Sequence, residues 1–295
     1  VTVGTFDGIH CGHKSLIEIL LQISYKTNLM HVIVTFEPHP RRVLGNKDEV
    51  KLITTLQEKL DIFKLYGIEN VLIINFTEQF SKLSYEEFIK EYIIKKLNVK
   101  YFLIGHDHKF GKDREGDEAK LTELAKKNNF SVIAVPPTVV DDEPISSSLI
   151  RKFLYEGNIE SANAYLGRRF RMEGEVVEGS KRGRELGFPT INLKVAEEKI
   201  IPGNGVYAVT CTVRGVEYFG MMNIGNRPTF DNLPDKIIEI NLFDFYKEVY
   251  GDTVTVTVYD FIRDEVRFTK KEDLIEQLYI DRATIRNYLN IETTN

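Results

Sequence analysis

The chain has 295 residues, of which 42% are hydrophobic and 28% are charged, and its formal net charge is −5. This length exceeds that of a typical single domain and fits two domains. The acidic balance argues against a broad nucleic-acid-binding face, and no run reaches the roughly 18 apolar residues of a membrane span. The only cysteines, Cys11 and Cys211, are far apart and suggest neither a disulfide framework nor a metal cluster. We therefore expect a cytoplasmic protein that binds neither nucleic acid nor membrane.

The first half of the chain, to about Pro136, alternates short apolar runs with segments whose apolar residues recur at helical spacing. This alternation predicts a Rossmann-like α/β fold, with a parallel sheet covered by helices. Ligands of such sheets bind outside the carboxyl ends of the strands, which include the turns after Val3 and Ile104. The predicted strands are 1–3, 31–36, 71–76, 101–104 and 131–135, and the predicted helices are 14–25, 56–66, 85–97 and 118–128.

The second half changes to strands separated by turn signals, with the clearest alternation of apolar and polar residues at 253–258. An antiparallel β-barrel is the natural interpretation of this pattern. Two helices at 149–155 and 159–166 precede it. The predicted strands of the barrel are 173–177, 206–213, 218–224, 236–243 and 253–261.

A helix over 271–289 is predicted to close the barrel, because one stripe of it is apolar. We place the boundary near Phe170, so that the chain divides into domains 1–169 and 170–295. The residues of the stripe are Leu274, Leu278, Ile285 and Leu289.

The first strand runs directly into GTFDGIHCGH, residues 4–13, and then into a helix. Glycines let the backbone approach a phosphate closely, and a helix N-terminus supplies unpaired N–H groups and the positive end of a dipole. The imidazoles of His10 and His13 can both face the phosphates and stabilise charge on a pentacoordinate phosphorus. A capping histidine or a metal pair are the alternatives. The string resembles the H-x-G-H signature of the nucleotidyltransferase superfamily.

Two further strings narrow the interpretation. GHDHKFGKDREGD, residues 105–117, follows the fourth strand, and ISSSLIR, residues 145–151, opens a helix. Hydroxyls at a helix start followed by an Arg in its first turn suit a triphosphate, although plain N-capping is the alternative for the serines. Together with FEPHP, residues 36–40, these strings resemble the adenylyltransferase domain of bacterial bifunctional riboflavin kinase/FAD synthetases.

This resemblance implies adenylyl transfer from ATP to FMN, giving FAD and pyrophosphate. It implies that His39 binds the flavin and that Asp107 helps to hold the flavin nucleotide or the adenine. His10 and His13 would be the catalytic residues. His108 stands where the family usually has Phe. The residues that would contact ATP are Gly4, Phe6, Asp7, His10, Gly12, His13, Ser147, Ser148 and Arg151.

The C-terminal half contains GSKRGRELGFPTIN, residues 179–192, which joins a glycine-rich basic loop to a strand. The backbone amides of such a loop can cradle phosphates. Thr190 and Asn192 are two residues apart and would face the same side, where their oxygen atoms could share a magnesium ion. A basic hairpin that ends in a half-buried strand is the alternative. The stretch resembles the P-T-A-N signature of riboflavin kinases, with Ile191 in place of Ala.

The resemblance implies phosphorylation of riboflavin to FMN by ATP, with Glu239 as the catalytic carboxylate that accepts the proton. A strand glutamate is otherwise usually a solvated residue. Asn241 stands where the family usually has His. Mg²⁺ would be held by Thr190 and Asn192. The residues that would bind ATP in this half are Gly179, Gly183, Gly187, Pro189, Thr190 and Asn192.

The leading hypothesis is a bifunctional enzyme of FAD biosynthesis whose small-molecule substrates are riboflavin, FMN and ATP. An enzyme that retains only one of the two reactions is the alternative, because His108 and Asn241 depart from the family in one half each. A cytidylyltransferase fits the first motif but leaves the second half unexplained. A flavin-binding regulator without activity is the non-enzymatic hypothesis.

Overall fold

The computed structural model describes residues 1–45, 50–105, 110–112, 115–140, 143–179, 182–226 and 236–291. The chain forms two compact units, Val1–Ser147 and Ser148–Asn295. Within the described residues, no helix combines the length and the apolar character needed to cross a bilayer.

The first unit is built on a parallel five-stranded sheet, as the sequence predicts. The strand order is β3-β2-β1-β4-β5, so the winding direction reverses between β1 and β4. In doubly wound sheets of this kind the ligand crevice lies at the reversal, outside the carboxyl ends of the strands. The strands are Thr2–Val3 (β1), Ile33–Glu37 (β2), Val71–Asn75 (β3), Tyr101–Gly105 (β4) and Ser131–Val135 (β5).

The helices of the first unit occupy the predicted segments and add short ones. The long first helix buries Leu16, Ile17 and Leu20 against a cluster that includes Ile33 and Phe63, as the apolar face of an amphipathic helix should. The helices are Cys11–Thr27 (α1), Pro40–Leu44 (α2), Leu56–Leu65 (α3), Glu78–Ser81 (α4), Tyr85–Phe88 (α5), Lys95–Leu97 (α6) and Glu118–Asn128 (α7).

The predicted helix 85–97 contains a π-helical segment, Ile89–Ile94, between α5 and α6. A short hairpin, Val139–Val140 (β6) and Glu143–Pro144 (β7), follows the parallel sheet. Neither feature is predicted from apolar spacing, because a single wider turn hardly changes that spacing and each strand of the hairpin has only two residues.

The second unit is a closed antiparallel barrel with the strand order β10-β11-β12-β9-β8-β13. The barrel and its closing helix are confirmed. The strands are Phe170–Val177 (β8), Ile191–Val195 (β9), Gly205–Val213 (β10), Val216–Asn226 (β11), Lys236–Leu242 (β12) and Thr253–Arg263 (β13). The helices are Ser147–Tyr155 (α8), Ile159–Leu166 (α9), Arg182–Glu185 (α10) and Lys271–Tyr288 (α11).

Helix α9 is tied to the barrel by Asn163. The backbone N–H of Phe170 donates to the Asn163 side-chain oxygen over 2.7 Å, and the Asn163 amide donates to the carbonyls of Val258 and Tyr259. These bonds link α9 to β8 and β13. The second unit, which begins at Ser148, thus includes a helix that precedes Phe170. The domain boundary at 169/170 stays a prediction.

Helix α11 packs Leu278, Ile285 and Leu289 of the predicted stripe onto the barrel. A buried carboxylate lies on the same helix. Asp281, which is 2% exposed, accepts two hydrogen bonds of 2.8 Å and 2.7 Å from the guanidinium of Arg263 at the end of β13. This bidentate pair fixes the closing helix to the barrel more specifically than apolar contact alone does.

Candidate active sites

The backbone of the turn after β1 is unusual. Three residues of the turn, Phe6, Gly8 and Ile9, have positive φ angles of 49°, 84° and 38°. Glycine tolerates this conformation, but at Phe6 and Ile9 it costs on the order of 1 kcal/mol each or more. Such a turn persists only where its surroundings impose it.

Asp7 supplies much of that constraint. Its carboxylate is 1% exposed and accepts hydrogen bonds from the backbone N–H groups of Ile53 (3.2 Å) and Thr54 (3.0 Å). The Thr54 hydroxyl donates to the same carboxylate and accepts from the N–H of Gly8 over 2.9 Å. The Asp7 side chain therefore fixes the turn to the segment before α3, and its predicted contact with ATP stays a prediction.

His10 and His13 are brought together at the start of α1. Their rings are stacked, with centroids 3.8 Å apart and planes inclined by 21°. His10 is the N-cap, and its Nδ1 accepts the N–H of His13 over 3.4 Å. A neutral His10 therefore carries its proton on Nε2, where it can donate to a ligand. The capping alternative holds for His10, and it orients the ring without excluding a role in phosphate binding.

Phe6 and Gly12 shape the space around the two imidazoles. The Phe6 ring, 1% exposed, lies 5.0 Å from the His13 ring and 5.5 Å from the Phe63 ring. A Cβ atom at Gly12 would lie 3.3 Å from the His10 ring. The Phe6 side chain thus supports His13 from the core side, and its predicted contact with ATP stays a prediction.

Ser147 is the last residue of the first unit, and its hydroxyl donates to the backbone carbonyl of Asp7 over 2.9 Å. This bond ties Ser147 to the turn within the first unit. Ser148 and Arg151 lie on α8, and Arg151 is 9% exposed. Both belong to the second unit. The predicted contacts of Ser147, Ser148 and Arg151 with ATP stay predictions.

Of the two residues predicted to bind the flavin, the structure describes only His39. His39 follows the carboxyl end of β2, is 6% exposed and caps α2, where its Nδ1 accepts the N–H of Arg41 over 3.2 Å. Asp107 and His108 lie outside the described residues. The flavin assignment stays a prediction.

The barrel brings the predicted kinase residues together through strand register. Glu239 on β12 lies directly opposite Asn192 of β9 and opposite Asn223 of β11. Directly opposed residues of antiparallel strands share a face, so the three side chains form a row across three strands. Thr190 lies two residues before Asn192 and one before β9 begins.

The glycine-rich loop lies against these side chains. A Cβ atom at Gly179 would collide with the amide of Asn192. One at Gly183 would collide with the carbonyl of Phe188 and lie 3.3 Å from the Thr190 hydroxyl. Both positions require glycine because of close approach.

Several amides of the loop are engaged within the loop itself. The N–H groups of Leu186 and Phe188 donate to the Gly183 carbonyl over 3.2 Å and 2.8 Å, and that of Gly187 donates to the Arg184 carbonyl over 3.2 Å. In this conformation these three amides are therefore not available to bind the phosphates of ATP. Gly187 has φ +78°, which favours glycine for conformation rather than for space.

A cavity of about 410 Å³ opens beside this loop, within the size range of small-molecule sites. Pro189, Thr190 and Ile191 line one side of it, and Ile240 of β12 lines another. The remaining lining residues are Val176, Arg184, Leu242, Phe245, Tyr246, Lys247, Glu248, Val249 and Tyr250.

Two family models match the chain, one in each half. The FAD synthetase model matches residues 1–149, and the riboflavin kinase model matches residues 166–289. A bifunctional riboflavin kinase/FMN adenylyltransferase from Buchnera aphidicola is 39% identical over 295 residues, which cover 99% of this chain and 94% of that protein. The chain belongs to the bifunctional riboflavin kinase/FMN adenylyltransferase family.

Two further proteins are similar to the chain over nearly its whole length. The protein of that description from Escherichia coli K12 is 32% identical over 292 residues, covering 99% of this chain and 93% of the relative. A crystal structure described as a macrolide-efflux protein from Streptococcus pneumoniae is 34% identical, has a TM-score of 0.89 and covers 97% of this chain and 93% of its own. The fold of this family member therefore has a close experimental counterpart.

Sequence reasoning missed a buried lysine in the FAD synthetase half. Lys59 lies in the first turn of α3, is 3% exposed and shares a helix face with Phe63. Burial lowers the pKa of its ammonium, while the nearby carboxylates of Asp7 and Glu37 act in the opposite direction. The available signal was a lysine four residues before a core phenylalanine.

In the riboflavin kinase half, sequence reasoning did not single out Asn223, because only strand register places it opposite Glu239.

The predicted kinase residues offer the hard oxygen donors that Mg²⁺ prefers. They are the hydroxyl of Thr190, the amide oxygen of Asn192 and the carboxylate of Glu239. No cluster of three or more His, Cys, Asp or Glu side chains suited to a metal occurs among the described residues. These three oxygen donors fit a magnesium ion that also binds nucleotide phosphates.

Proposed function

We propose that this chain phosphorylates riboflavin to FMN in its barrel and adenylylates FMN to FAD in its α/β unit, using ATP at two separate sites. The observation that carries the proposal is that each half holds its own reactive group beside a glycine-containing turn. In the first half these groups are the stacked His10 and His13, and in the second half the group is Glu239 opposite Asn192. The same proposal places the enzyme in the cytoplasm, where ATP is available and the buried thiol of Cys211 stays reduced.

In adenylyl transfer, a phosphate oxygen of FMN attacks the α-phosphorus of ATP, and the bond to pyrophosphate breaks. The N–H on His10 Nε2 and the imidazole of His13 stabilise the negative charge that grows on the phosphate oxygens. The N-terminus of α1 adds the positive end of its helix dipole. Neither histidine forms a covalent bond to the substrate.

The remaining residues of this site act through position. Gly4 and Gly12 let the nucleotide approach the backbone, and Asp7 holds the turn in its left-handed conformation. Ser147, Ser148 and Arg151 are assigned to the ATP phosphates, and Arg is suited to bidentate phosphate binding. His39 and Asp107 are assigned to the flavin nucleotide.

In the kinase reaction, the primary hydroxyl of riboflavin attacks the γ-phosphorus of ATP, and ADP leaves. Glu239 accepts the hydroxyl proton, and the loop residues Gly179, Gly183 and Gly187 bind ATP. Thr190 and Asn192 would hold the magnesium ion, which neutralises charge on the transferring phosphoryl group. The cavity beside Pro189 has the volume of a small-molecule site.

Purified protein incubated with riboflavin, ATP and MgCl₂ tests the proposal. Chromatography should show FMN appearing first and FAD following, with ADP and pyrophosphate released in the two steps. A parallel reaction started from FMN isolates the second step. FMN without FAD, or FAD only from added FMN, would assign the chain to the single-activity alternative, and no product from either substrate would refute both activities.

A further inference from the structure

The side chain of Asn241 connects the strand of Glu239 to the segment that carries Thr190. Asn241 is 5% exposed, and its Nδ2 donates to the backbone carbonyl of Pro189 over 2.7 Å. This carbonyl belongs to the peptide group that joins Pro189 to Thr190. Because a peptide group is planar and rigid, a bond to its oxygen fixes the direction in which Thr190 leaves the loop.

Strand register explains why a side chain is needed at this point. The pairing of β12 with β9 is antiparallel and includes Glu239 opposite Asn192 and Ile240 opposite Ile191. Continued by one residue, the same register would set Asn241 opposite Thr190, but β9 begins only at Ile191. The Asn241 amide donates to the Pro189 carbonyl, just beyond the last residue pair of β12 and β9. This side-chain bond continues the link between the two segments where the backbone pairing ends.

The segment before Thr190 is also held at a second point, by the side chain of Phe188. Thr190 is therefore the residue whose position depends on the bond from Asn241. Phe188 is 3% exposed and packs in the cluster that includes Ile285 of α11. Pro189 has no N–H with which to bind a neighbouring strand. Between the buried Phe188 ring and the start of β9, the bond from Asn241 orients the Pro189–Thr190 peptide group.

We propose that Asn241 is a positioning residue of the riboflavin kinase site, which sets the Thr190 hydroxyl relative to Glu239 through the Pro189–Thr190 peptide group. Asn241 touches neither substrate nor metal in this role. The inference rests on the proposed kinase function of Thr190 and Glu239. A displacement of about 1 Å at such a site costs on the order of 100-fold in rate, so the loss of this bond should be visible in the kinetics.

The test compares Asn241→Leu, which keeps the approximate size and removes the donor, with Asn241→His, which restores an N–H donor. Asn241→Leu should lower kcat for FMN formation by roughly 10- to 100-fold and raise the Mg²⁺ concentration needed for half-maximal rate, because Thr190 is a proposed metal ligand. Asn241→His should recover kcat to within a few-fold. FAD formation from added FMN, measured on the same preparations, should not change.

Thr257→Val is the control, because it removes a different buried polar group from the barrel, the hydroxyl of a residue 6% exposed on β13. It should leave both activities unchanged. If Asn241→Leu unfolds the barrel, as seen by circular dichroism, Asn241→Asp replaces it, since it keeps the shape and removes the donor. Wild-type protein without kinase activity would refute the proposed function itself.

With an active wild type, two results would overturn the inference. One is an unchanged kcat and Mg²⁺ dependence in the variant without the donor. The other is a loss that Asn241→His does not recover, which would make Asn241 a purely structural residue.

Discussion

The two sites of this enzyme are constructed by opposite means. The proposed adenylyl-transfer site is built on one continuous turn, 4–13, which Thr54 and Ser147 hold from distant parts of the first unit. The proposed kinase site has no such continuous segment, because Glu239 meets Asn192 only through the register of β12 and β9. In the first site the reactive groups are local and their supports are distant, whereas in the second the reactive groups themselves are distant.

The largest expected effect is the loss of one activity without the other, in two variants. His13→Ala should lower FAD formation from FMN by roughly 100- to 1,000-fold, because it removes stabilisation of charge in the transition state. Glu239→Gln should lower FMN formation from riboflavin by about 100-fold or more, because the amide cannot accept the proton. Steady-state rates of each reaction, measured on both variants, check the prediction.

The matched control is the activity that each variant should keep. His13→Ala should phosphorylate riboflavin at the wild-type rate, and Glu239→Gln should adenylylate FMN at the wild-type rate. Equal loss of both activities in either variant would show that the two reactions share a site.

A smaller effect is expected from the support of the first site. Asp7→Ala leaves the N–H groups of Ile53 and Thr54 without their acceptor, and an unsatisfied buried donor costs about 1–3 kcal/mol. The turn should loosen, and FAD formation should fall on the order of 10- to 100-fold while FMN formation is retained. Thr54→Val removes only the hydroxyl and should give a milder loss. Wild-type FAD formation by Asp7→Ala would contradict the positioning role.

The same contrast explains what the sequence could predict. The strand, turn and helix around residues 4–13 follow one another directly, so composition and spacing suffice to place His10 and His13 together. The partner of the Asp7 carboxylate is not predictable in this way, because Thr54 follows 47 positions later and only the fold returns it to the turn.

The kinase site was less accessible to sequence reasoning. Glu239 by itself is a carboxylate on an alternating strand, and its proposed catalytic role comes from family resemblance rather than from physics. Neither Asn223 nor the bond from Asn241 to Pro189 could be read from spacing, because antiparallel register depends on turn lengths that spacing does not determine.

The closing helix offers a test of whether the barrel site depends on distant packing. Asp281→Asn keeps the shape and removes the charge that pairs with Arg263. Breaking a buried ion pair costs about 3–5 kcal/mol, but Arg263 is 21% exposed, so a loss of roughly 2 kcal/mol in the free energy of unfolding is expected. Urea unfolding followed by circular dichroism measures it.

Kinase activity of Asp281→Asn should fall only a few-fold, because α11 packs on the barrel through Ile285 as well. Asp273→Asn, at an exposed position in the first turn of the same helix, is the control and should change neither quantity appreciably. A large loss of FAD formation from added FMN in Asp281→Asn would contradict the separation of the two sites.

The smallest expected effect is a pH dependence confined to the barrel. Cys211 on β10 is fully buried, and burial raises the pKa of its thiol from 9.0 to about 12. Between these values the unfolded chain loses the proton while the folded barrel keeps it, so the folded state binds more protons and stability falls as pH rises. Kinase activity that remains after incubation in urea should therefore be lost at a lower midpoint urea concentration at pH 10.5 than at pH 8.

The control variant is Cys211→Ala. It should lower the midpoint at both pH values, because it leaves a cavity, but it should reduce the difference between them. An undiminished difference in Cys211→Ala would assign the alkaline sensitivity to other groups, and an equal shift in the midpoint of FAD synthetase activity would show that it is not confined to the barrel.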